Sequence, residues 1–454
     1  MRSLLFLIAP LVIGALPPPT EAQPTQKPNI LLLTIDTIRA DATGFGGSQR
    51  PTTPFLDSLA ATAIVYDDAH STSSWTVPAI TSMLTGLYPV SHAVVHGAVG
   101  RGEVYDQEVI PAGLPILAEE LKKLGYRTYA VASNAHLAPE MGYGRGFDRY
   151  RCVGFTTADS VTRSVLRWKE IVAQGRGPWF LWIHYYDPHH PYREQRPWFR
   201  EFVGKVSTAD GPLMIGAKGS PPKPPRRKSP EAARFLTLAR GLYDSEVRYT
   251  DESIRRLFQG MPLLGDALII LAGDHGEEFL EHGDVGHCRT LYAESERVPL
   301  FVRHPDGRGP RNSAMPVTLL DLPNTILSAA GGRGIAASPG VSLLDPSTIA
   351  PSDSDRELLT QLERNREFGL EESILDSRWK FIINRGSGRR ELYDRVADPA
   401  EALNLYRTQP DLAAAQEQRL DALLKKLAPP PAVVERKMLS KEVEAQLRGE
   451  GYIH

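Results

Sequence analysis

Asn29-Ile30-Leu31-Leu32-Leu33-Thr34-Ile35-Asp36 is an almost unbroken apolar run closed by a carboxylate. Without polar alternation, such a run reads as a strand covered on both faces, the condition of a parallel sheet with helices on each side. Three more runs follow the same plan: residues 126–132 lead into Ser133-Asn134, 179–183 into His184, and 267–271 into Gly273-Asp274-His275. Between them, 114–124 and 243–258 carry helical periodicity, the latter with Tyr243, Val247, Ile254 and Phe258 on nearby turns. The expected fold class is α/β, a mostly parallel central sheet flanked by helices. Open sheets of this kind place their sites where the strands end, so function is sought at these polar termini.

The chain has 454 residues, more than a single hydrophobic core usually serves. A Gly-, Ala-, Ser- and Pro-rich passage over 331–352 marks a boundary. The large domain is expected over 28–345 and a small C-terminal α+β unit over 355–430. Short strands at 371–375, 379–384 and 391–393 and a closing helix at 411–427 are expected there. Residues 431–454 read as a tail, and 207–230, rich in Gly, Pro and basic residues, as a surface loop.

With 52 Lys and Arg against 54 Asp and Glu, the chain has no global field to hold nucleic acid or an anionic membrane. Cys152 and Cys288 are its two cysteines, which excludes a cysteine-based zinc site. Arg2, the apolar run over 4–16 and Thr20-Glu21-Ala22 before Gln23 read as a signal peptide over 1–22, so a secreted or periplasmic protein is expected. The run contains Pro10 and is short against the roughly 20 residues that span a bilayer. No cysteine follows it to carry a lipid, and no stable membrane anchor is expected.

Asp36 directly follows a buried strand, where a carboxylate needs a cation. A metal ion and Arg39 are the two candidates. Asp274-His275 sets a carboxylate beside an imidazole, a donor pair suited to a divalent ion with mixed oxygen and nitrogen ligands. In Trp75-Thr76-Val77-Pro78, Pro78 fits the first turn of a helix, which brings Thr76 to a helix N-terminus where partial positive charge favours an anion. Taken by itself, Thr76 reads as a plain N-cap.

These segments resemble the sulfatase family of the alkaline phosphatase superfamily. The resemblance rests on residues 29–36, on Thr76 to Leu84-Thr85-Gly86-Leu87-Tyr88-Pro89, on Asp187-Pro188-His189-His190-Pro191-Tyr192, on 273–287 and on Arg297-Val298-Pro299-Leu300. It continues in Leu392-Tyr393-Asp394, Asp398-Pro399 and Asn404-Leu405. It implies a large α/β domain with a central mixed sheet, followed by a small antiparallel sheet packed by a helix. It also implies one divalent cation, calcium first and manganese, zinc or magnesium as in phosphate-handling relatives. By position, Asp36, Asp274 and His275 fall on metal ligands and Thr76 on the nucleophile that also contacts the metal. His136 and His189 fall on catalytic histidines, Asn134 on a substrate-binding lysine position, and His287 near a substrate-binding cation.

The departures bear on mechanism. Thr76 stands where sulfatases carry the Cys or Ser that becomes formylglycine, Ile80 replaces the arginine of that signal, and Thr37 replaces a second carboxylate. No formylglycine is expected. A threonine alkoxide can still attack a tetrahedral ester, but its sulfate cannot be eliminated and requires water at sulfur. The expected function is an exported, metal-dependent hydrolase of sulfate or phosphate esters acting on a small-molecule or glycan substrate. A phospho-group transferase and a non-catalytic binding protein are the alternatives. The ligand-dense loop 274–287 hints at a second metal through His287 and His189, against a simpler reading as a cationic pair for substrate oxygens. His184, His190, His92, His96 and His304 read as structural or surface histidines, Trp75 as packing, and Cys288 as inert.

Overall fold

Eight strands build the central sheet: β1 (Ile30–Ile35), β2 (Ile64–Tyr66), β3 (Arg127–Ala132), β4 (Arg149–Cys152), β5 (Trp179–Tyr185), β6 (Leu268–Gly273), β7 (Leu300–Arg303) and β8 (Arg311–Ser313). The computed structural model describes residues 27–454 apart from 102–103, 205–224, 226, 228, 308, 310, 345–355, 364–368, 451 and 454. The leader expected over 1–22 and most of the loop expected over 207–230 therefore lie outside the described residues.

The sheet order is β8-β2-β7-β6-β1-β5-β3-β4, with β1 at the centre, parallel to β5 and β6. β7 runs antiparallel to both β6 and β2, which makes the sheet mixed and mostly parallel. Successive side chains of β1 serve opposite faces, as strand geometry requires. Ile30 and Leu32 join Ile80, Met83, Leu121 and Ile326 on one side, whereas Leu31 and Leu33 join Val161, Tyr243, Val247 and Leu257 on the other. This is why the run shows no polar alternation.

Helix α1 (Thr76–Thr85) and α2 (Asp321–Ala329) contribute to the first layer, and α3 (Pro230–Gly260) to the second. α3 starts well before the expected residue 243, because the apolar stripe continues backward through Ala239, Phe235 and Ala232 to Pro230 in the first turn.

A four-stranded antiparallel sheet, β9 (Leu358–Glu363), β10 (Leu370–Leu375), β11 (Trp379–Asn384) and β12 (Arg390–Asp394), forms the small unit. α4 (Pro410–Lys426) packs on it through Ala413 and Leu420. β9 adds a strand that sequence reading did not anticipate. Lys380 of β11 is fully buried, with Nζ at 2.6 Å from Glu296 Oε1 and 3.0 Å from Glu401 Oε1, so one ammonium ties the small sheet to the large domain. Burial alone would push the Glu296 carboxyl up, but Lys380 and His70 hold it down to about 2.

The expected tail does not trail away. Arg436–Met438 pairs antiparallel with Val104–Glu108, and α5 (Lys441–Gly449) follows, its N-terminus capped by Ser440, whose Oγ accepts the Val443 N–H. Val443 and Leu447, one turn apart, lie with Ile453 in the core beneath.

Candidate active site

Strand register assembles the site. Ile35 pairs with Tyr185 and with Gly273, and His184 with Thr34 and Ala132, so β1, β3, β5 and β6 end in one row. Asp36, Asn134, His184 and Asp274 thus meet at the carboxyl edge of the sheet, although Asn134 and Asp36 are 98 residues apart in the chain. β5 runs to Tyr185, which places His184 inside the strand.

Immediately after Asp36 the chain reverses at Thr37, whose φ of 52° lies in the left-handed region that β-branched residues avoid. The turn aims the Thr37 N–H at Asp274 Oδ1, 3.1 Å away, and the Thr37 carbonyl accepts the Tyr243 hydroxyl at 2.8 Å. Arg39 pairs instead with Asp41 and Glu281, which removes it as the partner of Asp36.

Thr76 is the first residue of α1, and the N-cap position belongs to Trp75, with no side-chain cap bond. The N-cap reading of Thr76 is thereby overturned: its hydroxyl points into the cluster. Oγ1 lies 3.3 Å from Asp36 Oδ2, 3.4 Å from Asp36 Oδ1 and 3.4 Å from His275 Nε2. His275 Nδ1 is committed to the Gly276 carbonyl at 2.9 Å, so its Nε2 lone pair faces Thr76, Asp36 Oδ1 at 3.4 Å and Asp274 Oδ2 at 3.7 Å. Asn134 donates Nδ2 to Asp36 Oδ2 at 3.1 Å.

The other expected residues form a second tier. His136 is held through Nδ1 by Gln107 Oε1 at 3.0 Å. His189 stacks on Tyr186 at 4.4 Å between ring centres and stands 4.7 Å from His287, which in turn stands 4.7 Å from His275. His287 Nδ1 meets the buried Glu277 at 2.9 Å.

Electrostatics divide these histidines. Burial pushes His136 and His275 down to about 3 and His189 to about 4, so all three are neutral imidazoles at pH 7. His287 goes the other way: burial opposes its charge, yet Cys288 and Glu277 raise it well above the ordinary value, which leaves it cationic. Burial alone would raise Asp36, but in acid, where His189 and His275 carry protons, their attraction together with the His184 hydrogen bond holds it well below the usual carboxylate range. Asp274, buried and facing Asp36, is pushed well above that range.

The donor set fits a divalent cation. One ligand atom each from Asp36, His184 and Asp274 lies within 4.8 Å of the others, all three residues being buried. Asp274 Oδ2 and His184 Nε2 have no hydrogen-bond partner, the condition of atoms shaped for a ligand. His275 Nε2 is aimed at the same carboxylates.

Two residues escaped sequence reading. His184 differs from the structural role expected of it, since nothing local distinguishes an imidazole within a strand from a packed one. Tyr452 belonged to the expected tail, yet its hydroxyl reaches His189 Nε2 at 2.7 Å. Cys152 and Cys288 are half-buried free thiols rather than a disulfide.

The sulfatase family model matches residues 28–332. The chain is similar to the ulvan-active sulfatase of Formosa agariphila, at 24% identity over 89% of this chain and 82% of that protein. It is also similar to N-sulphoglucosamine sulphohydrolase of Homo sapiens, at 26% identity over 87% of this chain and 89% of that protein. Among solved structures, a Bacteroides fragilis protein described as a sulfatase, yidJ, superposes with a TM-score of 0.73 at 19% identity, covering 90% of this chain and 98% of that one. At that identity the structural likeness speaks for the fold alone.

Proposed function

Because this chain belongs to the sulfatase family, we propose that it hydrolyses sulfate esters with Thr76 as nucleophile, beside a divalent cation held by Asp36, Asp274, His275 and His184. The carrying observation is the Thr76 hydroxyl, free of capping duty and 3.3–3.4 Å from Asp36 and His275. The cation, when bound, lowers the pKa of a neighbouring alcohol and neutralises charge gathering on the ester.

The residues divide the remaining work. Asp36 and Asn134 orient the nucleophile. Cationic His287, fixed by Glu277, draws in the sulfate oxygens, and neutral His189 and His136 line the side where the alcohol departs. Attack forms a bond from Thr76 Oγ1 to sulfur and breaks the ester S–O bond, and the proton lost from the Thr76 hydroxyl reaches the departing alkoxide through water, so that an alcohol leaves. Water then attacks the same sulfur and releases sulfate, since threonine has no second hydroxyl through which to eliminate it. The large unit over 28–345 carries this chemistry. The leader over 1–22 supports export from the cytoplasm, and among the described residues no helix is long and apolar enough to cross a membrane. By their names the two relatives act on ulvan and on N-sulphoglucosamine, which supports a sulfated glycan as substrate class.

Two imidazoles beside two carboxylates suit manganese or zinc better than calcium, which prefers oxygen donors, and this donor set supports manganese or zinc ahead of the calcium that the resemblance implies. Dialysis against a chelator is expected to abolish turnover and lower Tm. At a metal concentration 100-fold above Kd the lost stabilisation is about 2.7 kcal/mol. Metal analysis and re-addition of manganese, zinc, calcium and magnesium separately would rank the ions. Full activity in a metal-free preparation would end the metal reading.

The Thr76 side chain also favours a second reading, phosphate-ester hydrolysis, because in-line attack by water at phosphorus releases a phosphothreonine readily. Turnover of 4-nitrophenyl phosphate well above 4-nitrophenyl sulfate would establish it, and product on an added alcohol in preference to water would indicate a transferase.

A further inference from the structure

The loop that carries His287 continues outward to Arg289, and Arg289 stands between two cavities. On one side, His189, His287, Arg289 and Tyr452 line a pocket of about 200 Å³ beside the cation cluster. On the other, Asp284, Arg289 and Thr290 of the large unit face Glu371, Asn384 and Arg389 of the small sheet across a cleft of about 390 Å³. Clefts between two packed units are frequent seats for ligands. Contacts between the units hold these walls: the Tyr292 hydroxyl donates to Glu391 Oε2 of β12 at 3.1 Å, and Lys380 Nζ joins Glu296 to Glu401.

The lining of the cleft narrows what it can hold. Its cations are matched by carboxylates, Arg289 pairing with Asp284 at 3.0 Å and Arg389 with Glu371 at 2.7 Å. A free anion therefore meets no excess of positive charge, and an apolar ligand finds only Leu362 as an aliphatic wall among the described residues. Guanidinium groups donate, carboxylates accept, and the Asn384 amide and Ser387 hydroxyl do both. That mixture complements a sugar ring, whose hydroxyls each donate and accept. Glu371 adds a specific acceptor. It is 5% exposed, its Oε2 receives Arg389 and Asn384, and its Oε1 has no hydrogen-bond partner among the described residues. An unpaired buried acceptor costs free energy that a donated hydroxyl would recover.

We infer that this cleft binds the sugar unit next to the sulfated one, with Arg289 as a specificity-determining residue at the junction, so that the substrate is an oligosaccharide rather than a single sulfated sugar. The inference rests on the proposed hydrolase reading and deepens it. The Arg289 side chain is 38% exposed where the two cavities meet, within reach of both units of a bound chain. Contacts to the second unit lie away from the reacting sulfur. They are shared by ground state and transition state and therefore act on KM rather than on kcat.

The test compares sulfated monosaccharides with sulfated tetrasaccharides prepared from ulvan, heparan sulfate and carrageenan, with 4-nitrophenyl sulfate as the substrate that has no sugar. In the metal-loaded wild-type protein, at least one tetrasaccharide is expected to exceed its own monosaccharide roughly 10-fold or more in kcat/KM. Arg289→Ala removes the shared donor from the large unit, and Ser387→Trp sets an indole on the exposed hairpin of the small sheet that lines the opposite wall. Each is expected to raise KM for that tetrasaccharide roughly 10- to 100-fold and to erase its advantage over the monosaccharide. No advantage for any tetrasaccharide in the wild type, or an advantage kept in either variant, would overturn the inference and leave the hydrolase reading intact. Turnover of 4-nitrophenyl sulfate with none of the saccharides would do the same. A metal-loaded wild-type protein that cleaves no sulfate ester would overturn both.

Discussion

Thr76→Ala is expected to abolish turnover while leaving the fold and the metal content in place. The residue is the first of α1 and makes no capping bond, so its removal costs the helix little. Asp36, Asp274, His184 and His275, the proposed ligands, would all remain to hold a cation. Loss of a nucleophile amounts to several orders of magnitude in rate, roughly 4–8 kcal/mol of barrier. Loss of a cap would have amounted to about 1 kcal/mol of stability with almost no change in rate. The measurement is kcat on the best sulfate ester, beside metal content and a melting curve for the same preparation. Thr76→Ser should retain part of the activity, because a hydroxyl returns to the same position. Thr76→Cys co-expressed with a sulfatase-maturing enzyme should gain little formylglycine, since Ile80 stands where the maturation signal needs arginine. A Thr76→Ala enzyme running at the wild-type rate would assign the attack to water and leave Thr76 a spectator.

Lys380→Met should destabilise the protein by about 3–5 kcal/mol without touching the chemistry directly. The ammonium is fully buried between Glu296 and Glu401, themselves 1% and 2% exposed in their side chains. Methionine matches the stem in shape but leaves Glu401 without its ammonium and Glu296 with His70 Nδ1, 3.6 Å away, in place of the closer lysine. Burial works against the lysine's charge, and the pull of Glu296 and Glu401 outweighs it, so the group is charged in the folded state. The Glu296 contribution has a sign that can be checked. Its folded pKa is depressed to about 2, so its stabilisation is present above the ordinary carboxylate range and is lost as pH falls toward 2. A thermal melt should show Lys380→Met several degrees below wild type. Lys380→Met combined with Glu296→Gln and Glu401→Gln should recover most of the loss, because no unpaired charge then remains inside. A single variant that melts with the wild type would show that the triad does not tie the small sheet to the large domain.

The strand cores were legible because a strand sealed on both faces needs an unbroken apolar run, and the run itself states where it stops. Trp379–Asn384 was read with its observed bounds, and Ile30–Ile35 and Leu268–Gly273 were placed to within two residues at each end. Boundaries failed where a side chain gave no local sign of its surroundings. β5 continues two residues past the expected 183, because Tyr185 is as buried as the residues before it and pairs with Ile35. α3 gained thirteen residues at its start because its apolar stripe runs back from Tyr243 through Ala239, Phe235 and Ala232, all packed in the core.

By itself the sequence determined that a parallel sheet would end in Asp36, Asn134 and Asp274-His275, and that Pro78 would start a helix beside Thr76. Those statements depend on local periodicity and on the restricted φ of proline, both of which are written in adjacent residues. Tertiary structure alone decided that Thr76 would leave the N-cap to Trp75, that Arg39 would turn to Asp41 and Glu281, and that His184 would join Asp36 and Asp274. It also brought Tyr452 to His189 across 263 residues. Each of these is a contact between distant segments, fixed by strand register and by which helix face meets the sheet. A side chain's chemistry is set by the few groups within about 4 Å of it, and chain order does not say which groups those will be.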